Sequence, residues 1–201
     1  LIKEFSASFL SGSAVRPAIW LRNAGIVLSG SMLLAVCSHV ALPLYFTPVP
    51  LTLQTFAVFL LGLLLSPRLA AGTVIAYLAE GAFGLPVFAP APALPGLGHL
   101  VGPTGGYLLA SPLAAEVISH LWRRLGRGTV SAWFSAAAGS LIIFACGGIW
   151  LGLITHVTPR AVFASAVLPF IPGDLLKISA AALMAGGWAR LRRSTTQPHL
   201  T

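Results

Sequence analysis

The sequence predicts an all-α, multi-pass membrane protein with six transmembrane helices, and three observations carry that prediction. Over 201 residues the chain is 57% hydrophobic and only 8% charged, about a third of the roughly 25% that covers a water-facing domain. Its mean hydropathy is +0.91, and apolar runs follow one another through most of its length. Proline, glycine and basic clusters punctuate those runs. An ordinary soluble enzyme is excluded, and so is a disordered chain, which is poor in apolar residues.

The first span is expected at about 24–42, ending before Pro43. Lys3, Arg16 and Arg22 precede it as they would precede a signal peptide, and Leu34-Ala35-Val36-Cys37 hints at a lipoprotein cleavage site. Val36 is not small and further spans follow, so the run reads as a retained helix. The second span, about 52–66, stops at Ser66-Pro67-Arg68, and the third, about 69–85, halts at Leu85-Pro86. The fourth starts after Gly102-Pro103 and reaches Trp122, the fifth covers about 130–154, and the sixth runs from Gly173 to about Ala189. Residues 1–22 are then an N-terminal cytoplasmic segment, 23–190 the transmembrane domain, and 191–201 a cytoplasmic tail.

Charge sets the direction. With the N-terminus inside, ten of the twelve Lys and Arg residues face the cytoplasm: Lys3, Arg16, Arg22, Arg68, Arg123, Arg124, Arg127, Arg190, Arg192 and Arg193. Arg160 alone lies outside, and Lys177 falls within a span. Such a bias fixes both termini in the cytoplasm. The net charge of +8 therefore belongs to short loops between apolar runs, not to a nucleic-acid-binding face. The outer connections, Pro43–Pro50, Pro86–Pro103 and His156–Pro172, are long and proline-rich. Irregular apolar backbone at a membrane either packs at the interface or lines a protein cavity.

Only four carboxylates exist, and Glu80, Glu116 and Asp174 fall in or beside spans, where a charge costs roughly 2.5–3.5 kcal/mol. Lys177 follows Asp174 by three residues, which places both on one helical face. Pro172-Gly173-Asp174 also reads as a helix start with Asp174 near the N-cap. Either Asp174 caps the helix and Lys177 neutralises it, or the two offer an acceptor and a donor to a small ligand. Tyr77 and Glu80 share a face by the same spacing; Glu80 either lines the cavity or pairs elsewhere in the bundle. Glu116 is expected to contact His120, four residues on. Gly102-Pro103-Thr104-Gly105-Gly106-Tyr107 is no phosphate loop, because no Gly-Lys-Ser/Thr follows. Its glycines permit close approach of either a ligand or a helix. The five histidines and the separated Cys37 and Cys146 form no metal-ligand or redox motif, and no catalytic signature is present.

These motifs together resemble the BioY family, the biotin-binding S components of energy-coupling factor transporters. The resemblance is carried by Thr47–Phe56, by Tyr77–Gly84 running into Leu85-Pro86-Val87-Phe88, by Gly102–Tyr107, and by Pro169–Lys177. It runs from about Ala35 to Ala189, and nothing in the first 22 residues takes part in it. The resemblance implies a six-helix S-component fold in the bacterial inner membrane, with an outward-opening vitamin site. It implies that Asp174 and Lys177 hold the ureido ring of biotin. Gln54, Thr104, Gly105, Gly106 and Tyr107 would complete the pocket with Tyr77 and Glu80.

It further implies a transport subunit rather than an enzyme, with no cofactor, working with a membrane coupling protein and two ATP-binding subunits. In that picture the S component topples in the bilayer to carry its vitamin inward. Gly25, Ser29, Ser31 and Ala35 on the first span either dock the coupling protein or pack against the chain's own helices. Two departures stand out. The Pro86–Pro103 loop has no Lys or Arg for the biotin carboxylate, leaving His99 or backbone N–H groups, and Glu80 stands where a neutral residue is expected. The rival readings are an S component for another vitamin, and a membrane enzyme or scaffold of the same topology.

Overall fold

The computed structural model describes residues 17–90 and 96–194. Lys3, Glu4, Arg16, His199 and the middle of the Pro86–Pro103 loop lie outside the described residues, as do most of the expected N-terminal segment and the end of the expected tail. Six long helices form the bundle: α1 (Pro17–His39), α2 (Gln54–Leu64), α3 (Pro67–Ala82), α5 (Gly105–Arg124), α6 (Thr129–Thr155) and α8 (Ile171–Ser194). Two short ones, α4 (Leu97–Val101) and α7 (Pro159–Ala166), sit in the connections that precede α5 and α8. The expected segment boundaries at 22/23 and 190/191 fall inside α1 and α8.

The central element is α2, which packs against α1, α3, α5, α6 and α8. Ala57, Val58, Phe59 and Leu63 on its successive faces are at most 1% exposed. At 11 residues it is about 16 Å long, roughly half of a hydrocarbon core about 30 Å thick. A helix enclosed by protein on every side has no need to match the bilayer. Its final carbonyl region is held by other helices, since Leu65 O accepts from Ser119 Oγ at 2.6 Å and Arg123 Nη2 at 2.9 Å.

Around α2, α3 packs on α1 and α5, α5 along α6, and α6 on α8. Trp133 Nε1 donates to Ser179 Oγ at 3.2 Å, joining α6 to α8. Among the described residues, three segments are long and apolar enough to cross a membrane: Ile19–His39, Thr129–Thr155 and Pro159–Arg193. The shorter α2 and α3, and the more polar α5 with Glu116, Arg123 and Arg124, fall short of that measure.

The described parts of the connections expected on the outer side are more ordered than their proline content predicts. The first span ends at His39, because Pro43 disfavours helical backbone at Leu42. Ala41–Leu42 instead pairs antiparallel with Leu51–Thr52, Ala41 opposite Thr52 and Leu42 opposite Leu51, so Pro43–Pro50 is the tip of a hairpin. In the last connection, Thr158 Oγ1 accepts from Ala161 N at 3.4 Å and Pro159 occupies the first helical turn, an ordinary helix start. Then comes a 3-10 turn, Leu168–Phe170, leading directly into α8. Pro172 therefore lies within the first turn of α8, where its missing N–H costs nothing. Asp174 belongs to that turn and is not an N-cap.

Candidate functional site

The N-terminal ends of α2, α5 and α8 and the middle of α6 surround a cavity roofed by the hairpin, by Phe88 and Ala89, and by His99 of α4. From α8 and the turn before it come Phe170, Asp174 and Lys177, one face at spacings of four and three. From α2 come Gln54, Thr55 and Phe59, and from α6 come Ser140, Ile143 and Phe144. Thr104 and Tyr107 at the start of α5, with Leu108 and Ser111, close a third side. Val49, Pro50 and Thr52 of the hairpin, together with Phe88, Ala89 and His99, form the roof. The walls are apolar and aromatic, with polar groups concentrated toward α2 and α8.

Asp174 is 5% exposed and its Oδ2 accepts a short hydrogen bond from Ser140 Oγ. Lys177 Nζ donates to Thr55 Oγ1 at 3.0 Å. Of the two readings of this pair, the capping and neutralising one is not what forms; each charged group is tied instead to a hydroxyl on a neighbouring helix. Only one of three Lys177 protons and one of two Asp174 oxygens are so engaged. Gln54, 9% exposed, makes no side-chain hydrogen bond within the described residues, since only its backbone N–H is held, by Thr52 Oγ1 at 3.4 Å. Acceptor, cation and amide thus converge on one end of an otherwise apolar cavity.

His99 is the remaining polar group of the roof. Its Nε2 lies 3.3 Å from Ala89 O, its ring is 5.2 Å from Phe88, and its buried Nδ1 has no protein partner. Among the described residues no group of three His, Cys, Asp or Glu side chains is placed to hold a metal ion.

Five of the nine expected ligand residues reach the cavity: Asp174, Lys177, Gln54, Thr104 and Tyr107. The hydroxyls of the last two are used internally, Thr104 Oγ1 on His99 O at 3.3 Å and Tyr107 Oη on Ala166 O at 3.1 Å. They contribute wall rather than donors.

Gly105 and Gly106 serve close packing. A Cβ at Gly105 would strike Leu100 O, and one at Gly106 would overlap Trp150, whose Nε1 donates to Gly102 O at 2.9 Å. Tyr77, wholly buried, donates to Val87 O at 3.1 Å and meets Phe88 edge-on at 5.4 Å. It supports the roof from behind. Glu80 turns toward α1 and accepts from Ser31 Oγ at 2.9 Å. The expected Glu116–His120 hydrogen bond does not form.

Sequence reasoning did not single out Thr55, Phe88 and Phe170, although each lies inside a motif it quoted. Ser140 stands alone in an apolar stretch, and no local pattern distinguishes it.

The fold and this cavity define a class: a helical membrane protein that encloses a small ligand with an apolar body and a few polar groups. Residues 9–194 match the model of the BioY family, and the chain belongs to that family. The match begins well before Ala35, where the recognisable motifs begin. The chain is 41% identical over 138 residues to the probable biotin transporter BioY of Pyrococcus horikoshii, covering 69% of this chain and 79% of that protein. It is 40% identical over 155 residues to the biotin transporter BioY of Thermotoga maritima, covering 76% and 87%. For the BioY of Rhodobacter capsulatus the figures are 37% over 185 residues, 86% and 96%. The fold is that of the crystal structure of the S-component for biotin from an ECF-type ABC transporter, with a TM-score of 0.78 at 24% identity over 90% of this chain and 95% of that one.

The α1–α3 contact gives a direct test of Glu80. Replacing it with Leu removes the bond between α1 and α3, leaving Ser31 Oγ only the Leu28 carbonyl of its own helix at 3.1 Å, and lowers the thermal midpoint of the purified chain by several degrees, on the order of 1 kcal/mol for a lost hydrogen bond. Glu80→Gln keeps an acceptor and holds the midpoint near wild type. A thermal melt of the three proteins side by side checks it.

Proposed function

We propose that the chain captures biotin at the outer face of the bacterial inner membrane and delivers it inward with an ATP-driven module. The observation that carries this reading is the pair Asp174 and Lys177, one turn apart in an apolar cavity and each steadied by a neutral hydroxyl. The ureido ring of biotin has two N–H donors, matched by the open carboxylate oxygen of Asp174, and a carbonyl, matched by Lys177 or Gln54. Its thiophane ring and aliphatic chain suit Phe59, Phe88, Phe144 and Phe170. The biotin carboxylate would then lie toward the roof, where His99 Nδ1 is the unpartnered polar atom. As a family member the chain is a transport subunit and not an enzyme.

All six long helices cross the membrane in this reading, with both termini in the cytoplasm. Support comes from the basic residues of one end: Arg123 reaches the end of α2, and Arg193 Nη2 donates to Gly126 O at 2.9 Å between α5 and α6. The partners are a membrane coupling protein and two ATP-binding subunits. Of the small residues on α1, Gly25 and Ser29 are exposed while Ser31 is buried and Ala35 half-buried. The coupling protein therefore docks on the Gly25–Ser29 side.

Equilibrium binding to the purified chain tests the ligand and the site together. Asp174→Asn and Lys177→Ala each weaken biotin binding about 10- to 100-fold, the worth of a charge-assisted hydrogen bond. His99→Ala weakens biotin more than biotin amide, because only the former presents a carboxylate. Wild-type protein that folds but fails to bind biotin overturns the ligand; binding indifferent to all three changes overturns the site.

Topology is checked separately. With Cys37 and Cys146 replaced, cysteines at positions 68 and 127 resist an impermeant thiol reagent in intact cells. Labelling from outside would invert the orientation.

A further inference from the structure

A hydroxyl within a helix ordinarily turns back onto the helix that carries it. Ser29, Thr73, Ser111, Ser135, Thr155 and Ser165 do so, each donating to the carbonyl four residues earlier. Ser140 does not. Ala136 stands four residues before it on α6, yet Ser140 Oγ gives its single proton to Asp174 Oδ2 on α8. Both residues are buried, so no water competes for that proton. Thr55 Oγ1 on α2 also faces another helix, accepting from Lys177 Nζ at 3.0 Å.

Two hydroxyls from two helices thus hold a carboxylate and an ammonium group that sit three residues apart on a third. Unlike charges at that spacing attract, the more so away from water. Asp174 and Lys177 are close enough to feel one another's charge. Neither Glu80 nor Glu116 lines the cavity, and no other lysine or arginine does. Released from its hydroxyl, each of the two therefore has the other as its nearest opposite charge.

We propose that Ser140 and Thr55 are positioning residues that keep the acid and the base apart, so that both stay open to the ligand. The inference rests on the biotin reading of the cavity. Neither hydroxyl has to touch biotin. Their part is to prevent an Asp174–Lys177 ion pair that the ureido ring would have to break on entering. Ser140 leaves the second carboxylate oxygen to accept an N–H, and Thr55 leaves the other ammonium protons for a carbonyl.

Equilibrium biotin binding to the purified full chain tests this through a double-mutant cycle. Ser140→Ala and Thr55→Val each weaken biotin about tenfold, the scale of a hydrogen bond to a charged group. Thr55→Ser keeps the hydroxyl and restores binding close to wild type. In the Ser140→Ala background, Lys177→Ala weakens biotin no more than about threefold further, because that lysine is already held by Asp174. A merely structural loss at position 140 would instead let the two effects multiply. Should Ser140→Ala not fold, the cycle of Thr55→Val with Asp174→Asn carries the same expectation.

Biotin binding that is lost in Asp174→Asn but untouched in Ser140→Ala and Thr55→Val overturns the positioning role and leaves the biotin reading standing. Effects that multiply in the cycle overturn it as well, as does a Thr55→Ser variant as weak as Thr55→Val. A wild type that folds and binds no biotin overturns both readings together.

Discussion

The constraint from which the architecture follows is the burial of Asp174 and the half-burial of Lys177 in a bundle that stands in lipid. A carboxylate and an ammonium group out of water are costly unless each finds a partner. Their partners come from different helices, Ser140 on α6 and Thr55 on α2, so these three helices must meet at one level. That requirement accounts for the position of α2 between α6 and α8. It also accounts for the roof, because an open vestibule would let water compete for the same groups.

The roof depends on a second layer. Val87 O receives hydrogen bonds from both Tyr77 and Ser38, at 3.1 and 2.5 Å, which fixes the irregular backbone just before Phe88. Buried carbonyls in membrane proteins need such partners wherever the chain leaves a helix. Tyr77 and Ser38 lie on α3 and α1, neither of which touches the cavity with its own side chains. The position of Phe88 over the site is thus set by helices outside it, and Glu80 contributes by joining those two helices through Ser31.

The helices were legible in the sequence because hydropathy and punctuation agree. Pro67, Gly102-Pro103 and the Arg123–Gly128 cluster each mark a boundary within a few residues. The outer elements were not legible: two-residue strands, a five-residue helix and an eight-residue helix are too short for periodicity to register. At the site, a spacing of three located Asp174 and Lys177 on one face, but spacing is blind to what lies opposite. It placed Tyr77 beside Glu80 without revealing that the pair faces α1 and the loop. It suggested Glu116 with His120, although proximity on a helix surface does not oblige two side chains to bond. Gly105 and Gly106 showed the same ambiguity, since a missing Cβ admits Trp150 as readily as a ligand. Ser140 could come only from the three-dimensional structure, because its meaning lies in Asp174, 34 residues away.

The separation of the two charges has a consequence for binding. A direct Asp174–Lys177 ion pair in a dry cavity would satisfy both groups, and a polar ligand would have to break it. Hydroxyl partners satisfy them less completely: Ser140 and Thr55 each supply one neutral contact, leaving capacity on the carboxylate and the ammonium. A ligand with adjacent N–H donors and a carbonyl then adds charge-assisted hydrogen bonds, about twice as strong as neutral ones, without dismantling an ion pair. The hydroxyls also hold the charged side chains in place beforehand, so less side-chain freedom is lost on binding. Tight capture of a mostly apolar, uncharged ring by a buried acid and a half-buried base is the behaviour this arrangement favours.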